Sequence, residues 1–141
     1  MPATYWIDIT RRLVLSRGWG VFTEQDLLGH FNTLAADPDF QSTFSQLADL
    51  RFVERADLRK EFIRRHALEH LFSSKAQRAI VVSSAEHYEL ARIYADFAQY
   101  AAQNVHVFFR DIHDAEEWLG IETPIAVTMG AMHAGDEARG G

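Results

Sequence analysis

Few residues in this sequence have the types and spacing that chemistry requires. His66-Ala67-Leu68-Glu69-His70 has the H-x-x-E-H spacing of an inverted zinc-protease signature. On one helix, two imidazoles four residues apart share a face and can hold a single metal ion, with Glu69 polarising a bound water. A catalytic zinc site needs a third ligand, and none of Glu86, Glu89, Glu116 or Glu117 is singled out by spacing. Two imidazoles at the edge of a packed helix face explain the pair better, so no metal and no other cofactor is expected.

A second group of residues suits an anion or an acidic partner. Ser83-Ser84 follows the apolar run Arg78-Ala79-Ile80-Val81-Val82, where a parallel strand would pass into a helix N-terminus. Arg51 and Arg110 fall at the ends of neighbouring strands. Arg51, Arg55, Arg59, Lys60, Arg64 and Arg65 place six positive charges within 15 residues, interleaved with Glu54, Asp57 and Glu61. No aromatic residues alternate with them as a base-stacking platform would require. Arg92 is spaced for helix ion pairs with Glu89 and Asp96. The expected binding positions are therefore Arg51, Arg59, Ser83, Ser84, Arg92 and Arg110. No catalytic residue is expected: the chain has no G-x-S-x-G, no Walker loop and no dinucleotide fingerprint.

The 141 residues carry 48% hydrophobic, 24% charged and 12% aromatic side chains, the mix of a folded domain rather than a disordered or fibrous chain. Cysteine is absent, which excludes disulfides, thiol nucleophiles and thiolate-bound metals. A formal net charge of −6 argues against nucleic acid as a partner. No apolar run approaches the ~18 residues of a membrane span, and the start shows no secretory pattern, so a cytoplasmic location is expected.

These residues must be positioned by a small α/β framework. Two β-prone runs, Tyr5-Trp6-Ile7-Asp8 and 13–20, read as an antiparallel hairpin, with Gly18 and Gly20 allowing a bulge around Trp19. Thr23 and Asp26 have capping-box spacing for a first helix lined by Leu27, Leu28, Phe31, Leu34 and Ala35, which stops before Pro38. A strand over 44–51 and a polar loop precede an Arg-rich second helix running from Asp57 or Leu58 to about Phe72. The strand over 78–82 leads to a third helix capped by Ser83 with Glu86. Leu90, Ile93, Tyr94, Phe97 and Ala101 form its inner face, Gln103 points outward and Asn104 closes it. A last strand, 105–109, and a short helix, 111–119, end at Gly120. The sequence from 121 to 141 reads as a tail, with a local contact through Ile125, Val127 and Met129. The order β-β-α-β-α-β-α-β-α implies a mixed, mostly parallel sheet with helical crossovers.

Within this order, "QLADLRFVERADL", "AIVVSSAEHYELARIYADF" and "VHVFFRDIHDAEEWLG" resemble the SpoIIAA-like (STAS/SEC14) superfamily, in particular its stand-alone bacterial members. The likeness covers residues 5 to 120. It implies a SpoIIAA-like fold for 1–120 and a regulatory, protein-binding role without catalysis. In the family a Ser at the start of the helix after the third strand accepts phosphate, in a stretch like D-x-S-S-G. The matching stretch here is Asp57-Leu58-Arg59-Lys60: Asp57 fits, and Arg59 stands at the phosphoacceptor position, so the phospho-switch is not implied. The resemblance leaves a protein partner as the expectation, with a homodimer allowed. The alternative is a small apolar ligand or lipid, from the SEC14-like side of the family and a chain with ten Phe.

Overall fold

A computed structural model describes residues 2–121 of the chain. Its elements follow the expected order: β1 Ala3–Asp8, β2 Leu13–Thr23, α1 Glu24–Ala36, β3 Ser45–Asp57, α2 Lys60–His66, β4 Gln77–Val82, α3 Ala85–Ala98, β5 Asn104–Phe109 and α4 Ile112–Leu119. The five strands make one α/β sheet in the order β1-β2-β3-β4-β5. β1 runs antiparallel to β2, and every other neighbouring pair is parallel.

Side chains alternate across a strand, so the strand registers sort residues onto two faces. Tyr5, Ile7, Val14, Ala48, Ile80 and Val82 lie beneath α1, α2 and α3. Leu13, Leu15, Leu47, Ala79 and Val81 face the other way, where α4 covers them with Ala115, Trp118 and Leu119. Among the described residues, three helices thus cover one face and a single short helix the other.

Local rules account for several elements as read from sequence. Thr23 caps α1 with a full capping box to Asp26, and Asp37 ends that helix before Pro38. Leu28 and Ala35 of its expected stripe are nonetheless exposed, and Leu34 carries the burial. The glycines around Trp19 mark register shifts between β2 and β3, and Gly20 adopts φ 62°, which only glycine takes without strain. Asp111 caps α4 by accepting from Asp114 N, and Gly120 ends it in the left-handed region.

Elsewhere tertiary contacts override the local pattern. β3 extends six residues beyond the expected strand end because its second half pairs with β2 alone, from Phe52 opposite Trp19 to Asp57 opposite Thr23. β4 meets only Gln46 to Asp49, so β2 and β3 continue together as a two-stranded extension. The polar run Glu54-Arg55 disguised this strand as a loop. α2 spans Lys60–His66 rather than reaching Phe72. After it the chain turns, Ser73 N donates to Ser42 O, and Phe72 and Ala76 bury against Leu34 and Phe44. That burial draws the segment off the helix.

The third helix also differs at both ends. Ser84, not Ser83, is its cap, accepting from His87 N, while Ser83 Oγ donates to the Arg51 carbonyl at 2.6 Å. At its C-terminus a single 3₁₀ turn, Gln99–Ala101, and Ala102 in the left-handed region (φ 56°) reverse the chain. Gln103 therefore turns inward and is buried, and Asn104 opens β5 instead of closing the helix. Of the expected tail, Ile121 bonds back to Glu116 O; Ile125, Val127 and Met129 lie outside the described residues. Among the described residues, no helix is long and apolar enough to cross a membrane.

Candidate functional site

The three-helix face of the sheet holds a row of polar side chains at positions where the strand pattern calls for apolar ones: Ser16 on β2, Gln46 on β3 and Arg78 on β4. All three are buried, Arg78 to 3% exposure. Arg78 Nε donates to Gln46 Oε1 at 3.1 Å, Nη2 donates to the Tyr94 hydroxyl at 2.8 Å, and Nη1 donates to Gln103 Oε1. Gln46 Nε2 donates onward to Ser16 Oγ at 2.9 Å, and Ser16 Oγ lies 3.0 Å from His30 Nε2 on α1. Gln103 Nε2 in turn donates to the Glu69 carbonyl just past α2.

The guanidinium also lies against aromatic rings, its central carbon 4.3 Å from the Phe72 centroid, 5.4 Å from Tyr94 and 5.8 Å from Phe31. Ring faces offset part of the cost of burying a cation. Among the described residues Arg78 has no carboxylate partner. The guanidinium is a cation, so a positive charge is buried here.

Two imidazoles adjust to it. Burial, and then the charge of Arg78, push His30 down to about 4. His66 is pushed down to about 4 by burial first, then by Arg78 and His30. His66 stacks on Phe62 at an interplanar angle of 4° and lies 4.4 Å from the Phe31 ring, and neither of its ring nitrogens has a partner among the described residues.

Beside this network lies a cavity of about 120 Å³ between the sheet and α1, α2 and α3. Phe22, Leu27, Val53, Leu58, Ile63 and Leu90 give it an almost wholly apolar wall. Leu27, Leu58 and Leu90 are only half-buried, which places them at its rim. Ser16, Gln46, Arg78 and Tyr94 line one end. α3 runs back against β4, so His87, near Val82, lines the other end; its Nδ1 is buried without a partner among the described residues.

The positions expected from sequence lie elsewhere. Arg51, midway along β3 just after its pairing with β4 ends, does come together with Ser83, Ser84 and Arg110 past the ends of β4 and β5, but each is already engaged within the fold. Arg51 makes two bonds to Asp49 at 2.9 Å, Arg110 Nε donates to Ser83 O at 3.2 Å, and Ser84 is committed to its cap. Arg59 is apart from them, its backbone N–H, Nε and Nη2 all donating to the Glu24 carboxylate at 2.9 Å. Arg92 reaches Asp96 at 3.4 Å on the outer face of α3, whereas Glu89 pairs with Lys60. His70 falls beyond the end of α2 and is exposed, so it shares no helix face with buried His66. Among the described residues, no group of three His, Asp or Glu could hold a metal.

Sequence reasoning missed Arg78, Gln46 and Gln103. The available signal was a polar residue on the inward parity of each of three adjacent strands, legible only once the registers are known. Compared with known proteins, the chain matches no family model, no curated protein and no solved structure.

Proposed function

We propose that this domain binds a small, largely apolar molecule and does not transform it. One observation carries the reading: an apolar cavity of about 120 Å³ with a buried cation at one end that has no carboxylate partner among the described residues. A dry cavity of roughly 150 Å³ accepts benzene, so the space suits a ring or a short chain, extended through the leucine rim. Catalysis is less supported. Ser16 and His30 are in hydrogen-bond contact, but among the described residues no carboxylate orients the imidazole, and a group held near 4 is a weak base at neutral pH. Native mass spectrometry of protein purified without detergent tests the reading directly, together with titration of an apolar fluorescent dye. A bound small molecule or saturable dye uptake is expected; ligand-free protein that takes up no dye would sink it.

The order of elements supports placing the domain with the SpoIIAA-like proteins it resembles, and that placement is part of the proposal. The regulatory, protein-binding role implied by the likeness is the second reading. It is favoured by Trp19, Val21 and Phe52, which are exposed along the β2–β3 extension, with Arg17 and Arg51 lying 5.2 Å and 5.4 Å over the Phe52 ring. Aromatic and arginine side chains of this kind are enriched at protein interfaces. If the partner is a second copy, sedimentation velocity detects a dimer that Phe52→Asp abolishes; a monomer at all concentrations removes the homodimer.

A further inference from the structure

We propose that the ligand carries a single negative charge, a carboxylate, that seats against Arg78 while its apolar body extends toward Val82 and Leu90. This rests on the ligand-binding reading above and names the chemistry of the ligand's head.

The first support is the charge itself. A buried cation is ordinarily matched by an anion, because the interior solvates it poorly. The partners of Arg78 are neutral: two side-chain amides, a phenol and aromatic rings. Those bonds engage one N–H at each of its nitrogens, and the terminal nitrogens carry further donors in a planar fork that fits a carboxylate.

The second support is the count of charges around the cavity. With His30 and His66 held near 4, both are neutral at pH 7. Arg17 also contributes to the wall, but its guanidinium lies over exposed Phe52, away from the interior. Among the described residues, that leaves one buried positive charge at the cavity, which a monoanion balances; a phosphate monoester would leave a second negative charge buried among leucines. His87 lines the far end, and its Nδ1 is buried without a partner among the described residues.

Calorimetric titration of the full chain at pH 7.5 with phenylacetate, phenylacetamide and phenyl phosphate tests the proposal. The first two have nearly the same shape and differ in charge. Phenylacetate is expected to bind at least about tenfold more tightly than the amide, as a charge-assisted bidentate contact would give. Phenyl phosphate is expected to bind more weakly than phenylacetate. Arg78→Gln should make acid and amide equal, and the wild-type comparison decides the matter if that variant does not fold. Amide binding as tight as the acid overturns the head-group assignment and leaves the cavity reading standing. Tightest binding by the phosphate overturns the single charge. Binding of none of the three overturns both.

Discussion

Burial, and then the charge of Arg78, hold two neighbouring imidazoles neutral, and the clearest outcome is a dependence of stability on pH. His30 and His66 have folded values near 4 against about 6.5 when unfolded, so the native state favours their neutral forms. As pH falls below about 6.5 the unfolded chain takes up protons that the native chain refuses, and stability drops until about pH 4. Above pH 6.5 this penalty is absent. Urea unfolding at pH 7.5, 6.5 and 5 should show midpoints falling through that window, as the unfolding free energy drops by about a few kcal/mol at most for the pair. His66→Phe keeps the stacking on Phe62 and should flatten much of the slope. Equal midpoints at pH 7.5 and 5 would mean the imidazoles are not held neutral. None of this was legible in the chain. Arg78 heads an apolar strand, where a long side chain ordinarily reaches solvent, and Gln103 sits where helical spacing points outward. Their burial follows from strand register and from the reversal at Ala102, neither of which a local window contains.

Helix starts show where local reading succeeds. The Thr23–Asp26 box lies within four residues and forms as spaced, because both partners are fixed by the same turn. The Ser83–Ser84 pair offered two caps one residue apart, and the choice between them was made by a distant carbonyl: Ser83 is drawn to Arg51 O, leaving Ser84 to cap. Ser84→Ala should therefore cost about 1 kcal/mol in urea unfolding. Arg59→Ala removes an exposed pair with Glu24 at the start of α2 and should leave the melting temperature close to the parent. A much lower melt for the Arg59 variant, beside an unchanged Ser84 variant, would invert this account. Element order and fold class were legible because apolar strands and capped helices announce themselves. The length of β3 and the early end of α2 were not, since long-range pairing and the burial of Phe72 decide them.

At the scale of the whole molecule, the cavity is room that the packing leaves between layers, so filling it should separate binding from folding. Ala91→Leu on α3 enlarges a residue of the cavity wall. Dye or ligand uptake should be lost while urea stability holds or rises by up to ~1 kcal/mol; a loss well above that would show that the space is not there. Gly18→Ala acts from the strand side: its Cβ would come 2.9 Å from the Leu50 Cδ2, the mobile end of a side chain that also lines the cavity. Weaker uptake with little change in folding is expected. The strand order has a use of its own. Because position along the sheet repeats position along the chain, β1 and β5 stand at opposite edges, four strand spacings or about 19 Å apart. Fluorophores on those two edges form a molecular ruler laid across the sheet. Helices that part to admit a guest leave the reading fixed, whereas strands that separate lengthen it, so one distance tells breathing from fracture.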